Sequence, residues 1–117
     1  EKRFTTYERI ERVDLSVVKK DGRKEPFDKE KIRNGILRAC EKRPVTLEQI
    51  DIIVDSIESD LRKLKSIEIK SEKIGEKVTS ALKKLDNVAY IRFASVYKNF
   101  KDVNDFKKEL KELKWGD

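Results

Sequence analysis

The sequence predicts an α+β domain that is mainly helical, with a small N-terminal β-hairpin followed by a compact bundle of four to five helices. Three observations carry this. Asp21-Gly22 lies between two short apolar stretches, the pattern of a tight hairpin turn, because glycine takes φ > 0 without steric cost. From Ile32 onward the apolar residues recur at helical rather than alternating spacing. Capping residues (Asp28, Thr46, Ser71, Asp102) precede the periodic runs.

In chain order, Glu1 to Asp14 mixes charges with Phe4-Thr5-Thr6-Tyr7, which favours extended structure, and reads as the end of a module whose beginning is missing. Leu15-Ser16-Val17-Val18 forms the first hairpin arm, and Pro26 confines the second, Glu25-Pro26-Phe27, to an edge or a strand end. Asp28 caps a helix that runs to about Lys42 and stops before Pro44, with Ile32, Ile36, Leu37, Ala39 and Cys40 on its apolar face. Thr46 and Gln49 match a capping box, and Ile50, Ile53, Val54, Ile57, Leu61 and Leu64 form one stripe behind it. Ile67-Glu68-Ile69 alternates like a short strand or an extended connector. Ser71 caps a third helix carrying Ile74, Val78, Ala81, Leu82 and Leu85. A fourth, from Val88 to Phe100, starts at Asp86 or Asn87. Apolar side chains surround it, so it should lie buried, at the centre of the domain or in a subunit interface. Asp102 caps a last helix with Val103, Phe106, Leu110 and Leu113 on the single face that needs a neighbour.

Composition narrows the chemistry. Of 117 residues, 44% are charged and 37% hydrophobic, so the core must come from single faces of amphipathic elements. The apolar runs are too short for a transmembrane helix or a secretory signal. One cysteine excludes an internal disulfide and a cysteine-built zinc site within this chain. The lack of histidine removes the commonest general base and metal ligand, and no carboxylate pair stands out, so catalysis is not expected. Cys40 reads as a small buried hydrophobe. With no methionine to start it, the chain reads as a stretch of something longer.

The formal charge of +6 fits a polyanionic ligand. Neither G-x-G-x-x-G nor a Walker loop is present, so any phosphate must be held by side-chain cations, with a helix N-terminus as an additional donor. The best cluster is Lys19, Lys20, Arg23 and Lys24 at the hairpin turn, with Lys31 in the next helix. Strand alternation puts Lys19 and Lys20 on opposite faces, which leaves one to bind and the other solvated. On residue chemistry alone a solvated basic hairpin is the commoner outcome. Lys2, Arg3, Arg9 and Arg12 could meet DNA phosphates, but no helix shows a base-reading pattern. Lys70, Lys73, Lys77, Lys83 and Lys84 read as a solvated helix surface.

Val17 to Ile32 (VVKKDGRKEPFDKEKI) resembles the signature of the ATP-cone, a nucleotide-binding domain found at the N-terminus of many ribonucleotide reductase large subunits. Arg3 to Arg9 (RFTTYER), Arg38 to Val45 (RACEKRPV) and Val88 to Tyr97 (VAYIRFASVY) further resemble the NrdR family, bacterial transcriptional repressors of ribonucleotide reductase genes. That resemblance implies a cytoplasmic nucleotide sensor rather than an enzyme. Residues 1–14 would be the remnant of a junction and 15–117 the cone with its C-terminal helix. The family's N-terminal zinc ribbon, which binds DNA, is missing from this stretch, so zinc is expected only there. Bound ATP or dATP would set the oligomeric state of the homo-oligomer, and thereby its grip on operator DNA. Magnesium could accompany the phosphates.

By position, the resemblance implies Lys19, Lys20, Lys31 and Arg43 at the phosphates. It implies Val18, Glu25, Phe27, Ile32, Ser71, Tyr97 and Lys98 around adenine and ribose, with Glu25 the foremost polar contact to the base. Lys2, Arg3 and Arg9 are the weak DNA candidates. Two other readings stand beside this one: the allosteric cone of a reductase, and a small basic nucleic-acid binder with no nucleotide site.

Overall fold

In a computed structural model, residues 14–112 are described, and they form a three-stranded sheet and five helices. The strands are β1 (Ser16–Val18), β2 (Lys24–Pro26) and β3 (Glu68–Lys70). The helices are α1 (Lys29–Ala39), α2 (Leu47–Arg62), α3 (Ser71–Leu85), α4 (Asn87–Tyr97) and α5 (Val103–Glu112). The readings placed on Glu1 to Val13 and on Leu113 to Asp117 lie outside the described residues.

β1 and β2 form the expected hairpin, with Val17 opposite Glu25. Gly22 takes φ 90°, and the Asp21 carboxylate accepts from the Arg23 amide at 3.1 Å and from its Nε at 2.8 Å, tying the turn. Pro26 sits at the outer edge of the sheet, whose order is β2-β1-β3. Of Ile67-Glu68-Ile69, the last two residues belong to a strand, which continues to Lys70. β3 pairs in parallel with β1, placing Ile69 beside Val17, and both side chains are buried. The two are far apart in sequence, so local pattern carries no sign of this pairing.

Asp28 caps α1 by accepting from the Glu30 amide at 3.0 Å. The helix ends at Ala39, not at Lys42. Lys42 adopts φ 62°, and Arg92 of α4 donates through Nη1 to the carbonyls of Ala39 at 3.1 Å and Glu41 at 2.7 Å. The capping box at Thr46 and Gln49 is formed in both directions. Ser71 is no cap. β3 runs directly into α3, Lys70 stands at the cap position without a side-chain bond, and Ser71 is the first helical residue. Asp86 caps α4 through the Ala89 amide at 2.9 Å and receives Arg43 Nε at 3.0 Å on both carboxylate oxygens.

The core joins Ile36, Val54, Leu61, Val78 and Leu82 with Ala89 and Ala94 of α4, and α4 packs on α1, α3 and α5. α4 departs from expectation in two ways. It stops at Tyr97, because Asn99 turns left-handed at φ 56°, and it is not buried all round, since Val96 is 82% exposed. The last helix departs too. Asp102 does bond the Asn104 amide at 2.9 Å, but among the described side chains of α5 the buried one is Glu109. Its carboxylate accepts from the Tyr90 hydroxyl and from Lys98 Nζ at 3.1 Å, which satisfies a charge that would otherwise be costly to bury. Phe106 packs edge-on against Phe100, with ring centroids 4.8 Å apart. No helix among the described residues is long and apolar enough to cross a membrane.

Burial pushes the Asp86 carboxyl up, but the Ala89 amide and the Arg43 guanidinium outweigh it and hold the group below the usual carboxylate range. Such a depressed group stabilises the fold above its unfolded pKa, and that contribution is lost as pH falls through the folded value. Asp86→Ala is therefore expected to cost about 1–3 kcal/mol in urea unfolding at neutral pH. The gap between the parent chain and Asp86→Asn should close as pH drops below about 4.

Candidate functional site

The hairpin, the start of α1, the first half of α3 and the end of α4 enclose a cavity of about 520 Å³. Its two halves differ in chemistry. The hairpin half holds Lys19, Lys20, Arg23 and Lys31 with the carboxylates of Asp21 and Glu25. The other half is apolar, made by Val17, Phe27, Ile32, Ile74, Val78, Phe93 and Tyr97. A volume of this order, apolar with a few convergent polar groups, is that of a small-ligand site.

Glu25 is the hub of the charged half. Its carboxylate accepts from Lys31 Nζ at 3.1 Å and lies 4.0 Å from Lys19 Nζ. The Lys31 bond, followed by the Lys19 charge, holds the Glu25 carboxyl below its ordinary range despite the opposing cost of desolvation. Asp21 is engaged by Arg23, and Lys20 makes no ion pair among the described residues. Exposed pairs of this kind are weak and exchangeable, so an incoming anion can replace Glu25 on both lysines. α3 begins beside the cavity at Ser71 without a side-chain cap.

The apolar half is built from stacked rings. Phe93 and Tyr97 lie one helical turn apart on α4, with centroids 6.1 Å apart and planes 26° from parallel. The Tyr97 hydroxyl donates to the Glu72 carbonyl at 3.0 Å. Burial, then the Glu76 and Glu72 carboxylates, push the phenol pKa up, so this donor keeps its proton at neutral pH.

Of the residues that the resemblance implies, Lys19, Lys20, Glu25, Phe27, Lys31, Ile32, Ser71 and Tyr97 line the cavity. Three assigned residues do not. Val18 sits on the other face of β1, and the strand alternation delivers Val17 instead. Arg43 is bonded to Asp86, and Lys98 to Glu109. Lys19 and Lys20 both reach the cavity, against the expectation that one would point away, because the chain leaves the strand at Val18 and alternation no longer applies. Phe93 and Gly75 were missed. Helical period from Tyr97 points to the first, whereas only the contact described below reveals the second. Lys2, Arg3 and Arg9 lie outside the described residues.

No cluster of three His, Cys, Asp or Glu side chains among the described residues could hold a metal ion. Cys40 is buried at 6% exposure, and burial followed by the Asp86 charge pushes its thiol pKa up, which leaves little thiolate to react.

Residues 15–103 match the ATP cone domain family. The chain is 55% identical over 112 residues to the transcriptional repressor NrdR of Petrotoga mobilis, covering 96% of this chain and 75% of that protein. It is 55% identical to the NrdR repressor of Acetivibrio thermocellus over 96% of this chain and 74% of that one. It is 58% identical to that of Syntrophus aciditrophicus over 97% of this chain and 71% of the relative.

Lys31→Ala is expected to raise the titration midpoint of Glu25 toward the ordinary glutamate value in carboxyl-resolved NMR. An unmoved midpoint would contradict the ion pair at the centre of the charged half.

Proposed function

This chain belongs to the NrdR family of transcriptional repressors and carries its ATP cone domain, and on that premise we propose that the cavity takes ATP or dATP and reports which is bound. The observation that carries the reading is the division of one cavity into a cationic half and an aromatic half, the two surfaces that a triphosphate and a base require. Lys19, Lys20 and Lys31 would hold the phosphates, while Phe27, Ile32, Phe93 and Tyr97 would enclose the base. As the phosphates draw Lys19 and Lys31 away, Glu25 is released and becomes available to a polar edge of base or ribose. Magnesium, where present, would be carried by the phosphates and water, since no carboxylate cluster among the described residues prepares a place for it.

In this reading the nucleotide acts as a regulator. ATP and dATP favour different homo-oligomers, and a ligand shifts assembly only by its differential affinity for the two forms. Assembly then decides whether the family's zinc-bearing, DNA-reading segments can grip operator sites of ribonucleotide reductase genes in the cytoplasm. Residues 1–14 would belong to the junction with that segment, and 15–117 to the sensing domain. Zinc has no place among the described residues. The names of the relatives favour a repressor over the regulatory module of an enzyme.

Calorimetry of the folded chain should give saturable binding of ATP and dATP. Lys19→Ala and Lys31→Ala should each weaken it about tenfold, as expected for loss of one charge-assisted contact. Light scattering should give different masses with the two nucleotides. A folded chain that releases no saturable heat with either would sink the reading.

A further inference from the structure

Two helical glycines lie beside the aromatic wall, and they are not equivalent. A Cβ on Gly35 of α1 would meet the Phe93 ring at 3.6 Å, an ordinary contact. A Cβ on Gly75 of α3 would fall 2.0 Å from Cε1 of Tyr97 and 2.2 Å from its Cζ, far inside van der Waals contact with the ring. The Tyr97 ring thus lies flat on the α3 backbone, in space that only glycine leaves open. Glycine is also a poor helix former, so its presence within α3 runs against local propensity.

The ring is held there from several sides. Its hydroxyl reaches the Glu72 carbonyl at 3.0 Å, and Phe93 stacks against it. The Gly75 peptide is itself fixed, since the Thr79 hydroxyl donates to the Gly75 carbonyl at 3.0 Å. Both Gly75 and Tyr97 face the cavity. A side chain at position 75 must displace the ring from this place, against the Glu72 bond and the Phe93 stack that hold it, and so reshape the apolar half.

We infer that Gly75 is a positioning residue for nucleotide binding: by having no side chain it seats Tyr97 against α3 and sets the width of the base-binding half. This rests on the nucleotide reading above. The three atoms nearest a Cβ at position 75 all belong to the Tyr97 ring, so the effect of that Cβ should vanish when the ring is absent.

The test is a double-mutant cycle read by ATP calorimetry on the full chain. Gly75→Ala should weaken binding at least about tenfold and match Tyr97→Ala, and the Gly75→Ala/Tyr97→Ala double variant should bind within about twofold of Tyr97→Ala. Gly35→Ala should stay within about twofold of the parent chain, because its Cβ has room. A folded Gly75→Ala chain with parental affinity would overturn the inference. So would a double variant that binds a further tenfold or so more weakly than Tyr97→Ala. Should Gly75→Ala fail to fold, the comparison of the double variant with Tyr97→Ala decides alone. A parent chain that binds no ATP removes the nucleotide reading itself, which is distinguishable from the loss of Gly75's role.

Discussion

The fold hangs on α4, whose eleven residues tie it to α1, α3 and α5. Its N-terminus is held by Asp86, whose carboxylate also receives Arg43 from the loop after α1. Ala89 and Ala94 are fully buried and let α1 and α3 approach its backbone closely. Arg92 bonds the carbonyls at the end of α1, and Tyr90 and Lys98 meet the buried Glu109 of α5. The end of the same helix carries Phe93 and Tyr97 into the cavity. One element therefore closes the cavity and anchors both the preceding and the following parts of the chain.

That arrangement explains which features were legible in the sequence. The hairpin, the capping box at Thr46 and the stripe of α2 follow from local chemistry, because turn glycines and capping side chains act on their own neighbours. The mostly apolar composition of α4 reads as complete burial, but Val96 stays exposed and the helix turns out at Asn99. The apolar excess has another cause: two of those residues are the rings of a cavity wall. Glu109 shows the reverse case. Its burial depends on Tyr90 of α4 and on Lys98 just beyond that helix, and nothing near it in the sequence signals this.

The candidate site divides the same way. The lysines of the turn and Glu25, Phe27 and Ile32 form one continuous stretch, so reading them from sequence needed only the family signature and the strand-turn-helix order. The resemblance implies Arg43 at the phosphates and Lys98 beside adenine and ribose, but each already has a carboxylate partner across the fold. Val17 and Val18 are separated by pleat geometry alone, and Gly75 by a contact between α3 and α4. Long-range packing, rather than residue type, decides these positions.

The proposed nucleotide site draws on three separate parts of the chain at once. Hydrogen exchange on the parent protein with and without ATP tests that most directly. Slowed exchange is expected together in the hairpin and start of α1 (17–32), the first half of α3 (71–78) and the end of α4 (93–97). Slowing confined to the lysine-rich turn, with α3 and α4 unchanged, would contradict it, because a surface that merely attracts phosphate has no use for the aromatic wall.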